Sequence, residues 1–231
     1  MNYKIFKASQ RGTGDFGWLR PAYYFSFSSY YNPARMGFGA IRVMNDDWIQ
    51  AGAGFPTHAH DNMEIITIPL KGAVAHRDST GGEGVITSGE VQVMTAGTGI
   101  QHSEFNASQT EDLQLFQIWI LPDKHGHKPG YWQHKYIAGE NKFETIVDGF
   151  DANSGKYINQ RAAISRGNFD NVDIAYTSKG KNTGLFLVVI NGHVEVDGQK
   201  LGTRDFMEIV GELPKMKSVG KTDVLLIETI L

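Results

Sequence analysis

Cysteine is absent from the 231 residues, which excludes disulfides and any thiolate-ligated metal. A metal site in this chain must be built from nitrogen and oxygen donors. Proline is scarce, at seven residues against 27 glycines, so chain reversals fall mainly to glycine-containing tight turns. Charge of one sign is not concentrated either. Lys and Arg number 22, Asp and Glu 25, and the formal net charge is −3. No basic run offers a phosphate backbone a footprint, so direct nucleic-acid contact is not expected. No apolar run approaches the roughly 18 residues of a membrane span. The opening Met1-Asn2-Tyr3-Lys4-Ile5-Phe6-Lys7 lacks the apolar core of a signal peptide. The expectation is a cytoplasmic protein with no membrane contact.

What is present is a succession of short apolar runs. Met63 to Ile68 leads into a Lys71-Gly72 turn and Ala73 to His76, and Val91 to Met94 comes after another turn at Ser88-Gly89-Glu90. Leu113 to Ile120 alternates as a half-buried strand does. The pattern returns at Tyr157–Ile164, Val172–Tyr176, Leu185–Ile190 and Asp223–Ile230, with Asn191-Gly192 as a two-residue hairpin turn. Strands at this spacing with no helical period between them predict an all-β sandwich or barrel. The length suits two domains of about 100–130 residues. The halves also repeat: Ile68 to Val74 aligns with Val188 to Val194, and Ser88 to Met94 with Thr203 to Ile209. The repeat implies a duplicated barrel. The expected division is 1–130 and 131–231, with residues 131–156 as a connector.

Near the start, Gly12, Gly14 and Gly17 match G-x-G-x-x-G, but no buried strand precedes them and Pro21 interrupts the segment where a helix would have to begin, so no dinucleotide site is expected. The aromatics between Phe16 and Tyr31 fit a packed arm over a barrel better than a ligand wall. Gly37 to Ile49 is expected to form a hairpin that turns at Asn45-Asp46-Asp47.

Two pairs of potential metal ligands stand out. His58 and His60 are separated by one residue, as are His102 and Glu104. On a strand, residues i and i+2 point to the same face. If the two strands lie side by side inside a barrel, three imidazoles and one carboxylate converge. That set suits a first-row divalent metal with open coordination positions. A further pair, His125 and His127, is flanked by Asp123, Lys124, Lys128 and Pro129 and is expected in a solvent-exposed loop. His76, His134 and His193 stand alone and are expected to be structural or at the surface.

These residues resemble the cupin superfamily and, within it, the pirins. Gly52, His58, His60 and Glu64 fit the general cupin spacing, and Gly89 to Asn106 fits its second motif, with Thr95 where proline is usual and a longer gap before the histidine. Phe55-Pro56-Thr57-His58-Ala59-His60, Met63-Glu64 and the run from Met94 to Glu104 resemble the pirin signature more closely. The resemblance covers most of residues 11–121; the C-terminal half is similar mainly in architecture. It implies a bicupin of two tandem antiparallel β-barrels of the double-stranded β-helix or jelly-roll type, with one metal in the N-terminal barrel. The implied ligands are His58, His60, His102 and Glu104, with Glu64 not expected to be one. Iron is the implied metal, while the donor set also admits manganese, nickel, copper, cobalt or zinc. The implied activity is a quercetin 2,3-dioxygenase, taking a small planar phenolic flavonol and dioxygen, with Glu104 accepting the substrate's hydroxyl proton. The competing implication is an iron redox-sensing regulatory module that binds a protein partner and has only incidental dioxygenase activity.

Overall fold

The computed structural model describes residues 2–211 and 213–231. Among them every regular element is a β-strand except a single 3₁₀ turn at Ala8–Gln10, and no helix is long and apolar enough to cross a membrane. The chain divides into two units, one of Arg11–Gly37 with Ile41–Tyr136, the other of Met1–Gln10, Phe38–Ala40 and Ile137–Leu231. Each holds one seven-stranded and one four-stranded sheet. The facing sides share an apolar core, because strand alternation sends every second side chain inward. In the first unit, Leu19, Ile49, Leu113 and Leu115 from the large sheet meet Val74 and Ile86 from the small one. In the second, Leu185, Leu187 and Leu226 meet Val194, Val196 and Leu201. Burying each such side chain contributes about 1.5–3 kcal/mol relative to exposure. Two double-sheet units of antiparallel strands are the bicupin architecture expected from sequence. The parallel exception is the two-residue pairing of Gly139–Glu140 with Gly167–Asn168.

The duplication is explicit in the strand order. The large sheet of the first unit runs Gly130–Lys135, Glu90–Thr95, Glu64–Lys71, Leu113–Ile120, Ile41–Ile49 before two further strands. That of the second runs Tyr3–Phe6, Phe206–Val210, Thr183–Asn191, Lys221–Ile230, Ala162–Asp170. Gly72 and Gly192 occupy the same crossing from large sheet to small, at φ 79° and 90°. At Gly192 an added Cβ would also collide with the Lys221 carbonyl oxygen, so both backbone angle and close approach require glycine.

Three expectations are corrected by this arrangement. The division does not fall at residue 130, because each large sheet takes an edge strand from outside the expected bounds. Tyr3–Phe6 pairs with Phe206–Val210 and so belongs to the second unit, while Gly130–Lys135 pairs with Glu90–Thr95 and extends the first to Tyr136. Covering an edge removes a row of unpaired N–H and C=O groups, and the residues that do it carry no local sign of their partner. For the same reason residues 131–156 are more than a connector: Gly130–Lys135 and Glu144–Asp148 are strands. The third correction concerns Asn45-Asp46-Asp47, which form no turn. They lie inside the continuous strand Ile41–Ile49, paired on one side with Leu113–Ile120 and on the other with Leu19–Tyr23. Asp46 is accommodated by Arg11 Nη1 at 3.0 Å and Gln114 Nε2 at 3.2 Å; Asn45 and Asp47 line a cavity in the first unit.

Candidate metal centre

The strand Gly54–His60 lies antiparallel to Ile100–Asn106, with His102 opposite His58 and Ile100 opposite His60. Past His102 the register shifts, so that Glu104 lies opposite Phe55, a bulge of the kind that re-aims side chains. The period of two leaves Ile100, His102, Glu104 and Asn106 buried while Gln101 and Phe105 are exposed. Ring centroids are 4.7 Å apart for His58 and His60, 4.5 Å for His58 and His102, and 5.0 Å for His60 and His102. The three ligating atoms all fall within 4.8 Å of one another.

The protonation of this cluster favours a cation. His58 Nδ1 lies 2.8 Å from the Pro56 carbonyl oxygen. A carbonyl only accepts, so Nδ1 carries a proton, and in the neutral ring Nε2 presents a lone pair. That lone pair faces His102 Nε2 at 3.1 Å. Burial, reinforced by the neighbouring imidazoles, pushes His60 down to about 4 and His102 down to about 3. Both are therefore neutral at pH 7, and ring nitrogens of three histidines aimed at one point fit a divalent first-row metal.

Glu104 is fully enclosed at 3% exposure. Its Oε1 accepts from Gln92 Nε2 and from Thr67 Oγ1 at 3.0 Å, and its Oε2 from Gln117 Nε2 at 2.8 Å. It clusters with His102 and His76, and lines the same cavity, about 230 Å³, as the three histidines. Glu64 is buried elsewhere and accepts from the Thr95 hydroxyl at 2.8 Å. Cavities of about 650 and 590 Å³ in the second unit are larger but have no histidine in their walls.

His76 is not at the surface. It is 2% exposed and lies opposite Glu104 in the pairing of Ala73–Asp78 with Ile100–Asn106. Its ring is 5.3 Å from that of His102 and stacks on Tyr131 at 4.5 Å. His76 Nε2 is 2.9 Å from Asp78 Oδ2, while Asp78 Oδ1 accepts from the Thr80 hydroxyl at 2.6 Å and the backbone N–H groups of Thr80 and Gly82. Burial raises the Asp78 carboxyl, but these donors outweigh it and hold it below the usual range. The charged carboxylate thus anchors His76, which buttresses His102. The signal was available: Val74, His76 and Asp78 share the inward face of one strand.

Asn45 and Asp47 were also missed. Both line the histidine cavity, and both also line an adjoining one of about 270 Å³. Burial, then the charges of Asp46 and Glu104, pushes the Asp47 carboxyl up to about 8. The aromatic segment is not merely a packed arm, since Phe16, Trp18, Tyr23 and Phe27 line the adjoining cavity. Met63 and Met94 pack with Ile65, Ala96 and Ile100. His125 and His127 lie in a loop, with His127 Nε2 2.6 Å from Asp123 Oδ1. His193 is exposed, and His134 stacks on Trp132 with centroids 5.3 Å apart.

The loop feeding His102 depends on Gly97, which has φ 51° and meets the His127 carbonyl oxygen where a Cβ would stand. A left-handed alanine costs about 1–2 kcal/mol before any collision. Gly97→Ala is expected to lower unfolding free energy by about 2 kcal/mol or more, read from urea titrations of the metal-free protein. An unchanged midpoint would show that the loop tolerates the side chain.

Comparison with known proteins identifies the lineage. Residues 6–120 match the Pirin family model, and residues 146–229 match the quercetinase C-terminal cupin domain. A quercetin 2,3-dioxygenase of Escherichia coli K12 is 41% identical over 207 residues, 89% of each chain. The chain belongs to the pirin family. A pirin-like protein of Caulobacter vibrioides is 40% identical over 197 residues, 84% of each chain. The crystal structure of the bacterial pirin YhhW from E. coli in complex with nickel(II) superposes with a TM-score of 0.91 at 36% identity, covering 99% of both chains. The bicupin architecture and the pirin resemblance inferred from residues 11–121 therefore both hold.

Proposed function

We propose that this pirin is a metal-dependent dioxygenase of the quercetin 2,3-dioxygenase type, acting on flavonols. The observation that carries the reading is the convergence of His58, His60, His102 and Glu104 on one largely apolar cavity. His58, His60 and His102 would hold one divalent metal, with Glu104 as the fourth ligand. Iron is the family's expected metal; the nickel complex of the E. coli pirin supports a site that accepts several first-row ions. When bound, the metal supplies Lewis acidity toward a substrate hydroxyl and a route for reaction with dioxygen.

The chain's own residues supply the rest. Glu104 accepts the proton of the flavonol hydroxyl, and Gln92, Gln117 and Thr67 hold its carboxylate in place. Phe27, Phe55, Ile65 and Trp119 form apolar walls that exclude water and offer aromatic faces to a flat ring system.

The test is oxygen uptake with quercetin, using stripped protein reconstituted separately with iron, manganese, nickel and copper. Saturable uptake is expected in a metal-loaded form and none in the stripped one. Glu104→Gln should reduce kcat on the order of 10²–10⁴-fold, with metal content assayed in parallel. Equal turnover by metal-free protein would sink the metal-centred reading. Stoichiometric metal without uptake in any form would favour the protein-binding regulatory role instead.

A further inference from the structure

Two buried oxygen atoms in the wall of the histidine cavity have no hydrogen-bond partner: Asn45 Oδ1 and Asp47 Oδ1. Each residue is only 4% exposed. They stand two apart on Ile41–Ile49 and so share one face of the strand. Asp46, between them, points the opposite way and is paired with Arg11 and Gln114. Buried polar atoms are almost always satisfied, because leaving one unpaired forfeits its hydration without return. Two unpaired oxygens, side by side on one strand face and lining a cavity, are what a wall shaped for hydroxyl groups looks like, since a hydroxyl both donates and accepts.

The position is held rigidly. Asn45 pairs with Gln117 and Tyr23, and Asp47 with Leu115 and Pro21, in ladders on both sides. It is also placed at a boundary. Asn45, Asp47, Phe27 and Phe55 line both the histidine cavity and the adjoining aromatic cavity. A molecule reaching from one to the other passes these two oxygens with Phe27 and Phe55 beside it.

We propose that Asn45 and Asp47 form a hydroxyl-recognition site, selecting planar aromatic ligands that carry ring hydroxyls beyond the one presented to the histidines. One ring hydroxyl donates to Asn45 Oδ1 and another hydrogen-bonds with the Asp47 carboxyl at Oδ1. The inference rests on the dioxygenase reading for what happens at the histidines, but the recognition itself is a matter of binding.

The experiment therefore measures binding first. Quercetin and 3-hydroxyflavone share one ring skeleton, but the second lacks the additional ring hydroxyls. Their dissociation constants are measured by calorimetry on metal-free and nickel-loaded protein, for the wild type, Asn45→Leu, Asp47→Leu, Asn45→Asp and Asp47→Asn. Leucine matches the removed side chains in size without an acceptor; the last two variants keep an oxygen. The wild type should prefer quercetin by on the order of 10- to 100-fold, the leucine variants by less than about threefold, and the acceptor-retaining variants nearly as the wild type does. In turnover, the leucine variants should raise KM for quercetin far more than they lower kcat. Wild-type protein without preference would overturn the proposal, whichever variants fold. So would folded leucine variants, checked by thermal melting, that keep the wild-type preference. Failure of the dioxygenase reading looks different: the binding preference persists while oxygen uptake is absent.

Discussion

Replacing His102 by alanine should abolish stoichiometric metal uptake, and flavonol turnover with it. His102 is the hub of the centre. It lies opposite His58 across one strand pair and opposite Asp78 across the other. Its Nε2 is 3.1 Å from that of His58, and its ring is within 5.3 Å of the rings of His58, His60 and His76. Without it, only His58 and His60 remain on their own strand. Loss of supporting residues around a metal ligand already costs about 10–100-fold in affinity, so loss of a proposed ligand should exceed about 100-fold. Nickel titration followed by calorimetry provides the measurement, with far-UV circular dichroism confirming the fold. Stoichiometric binding at wild-type affinity would remove His102 from the ligand set.

The second large effect is expected in the unit without the histidine cluster. Glu228 is 0% exposed on the strand Lys221–Ile230. Its Oε2 accepts from the Tyr176 hydroxyl at 2.9 Å and Lys179 N at 2.8 Å. Its Oε1 accepts from Gly180 N at 2.9 Å and Thr183 Oγ1 at 2.8 Å. Burial, followed by the Glu228 charge, pushes the Tyr176 phenol well above its ordinary value, so this hydroxyl stays a donor. Glu228→Ala strips the partner from all of these donors, backbone N–H groups among them. A loss of about 3–5 kcal/mol is expected, as when one member of a buried charged network is deleted. Urea unfolding reads the loss, and nickel stoichiometry at low denaturant should be unchanged. A change below about 1 kcal/mol would mean that solvent replaces the carboxylate without penalty.

The histidine pairs were legible because their geometry is local. Residues i and i+2 share a strand face whatever the strand is paired with, so His58 with His60 and His102 with Glu104 could be grouped before any partner was known. The glycines that deliver these strands are local signals too. Asn45-Asp46-Asp47 misled for the converse reason: three polar residues in succession have the chemistry of a turn. Only pairing with Leu113–Ile120 and Leu19–Tyr23 makes a strand of them and turns Asn45 and Asp47 toward the cavity. His76 carried a weaker version of the same signal, alternating with Val74 and Asp78, but its place beside His102 needed the register of a strand more than twenty residues onward.

Composition and period two thus determined, without any partner, that this chain is all-β, that a metal site in it would be built from nitrogen and oxygen, and that His58 with His60 and His102 with Glu104 share strand faces. The repeat between its halves determined that the architecture is duplicated. Tertiary structure alone decided that Tyr3–Phe6 completes the sheet built from the chain's other end, and that Asn45 and Asp47 stand in the wall of the histidine cavity. The physical reason is common to both. Strand alternation is a property of neighbouring residues, whereas edge pairing, register and the walls of a cavity are set by segments that meet only when the chain has folded.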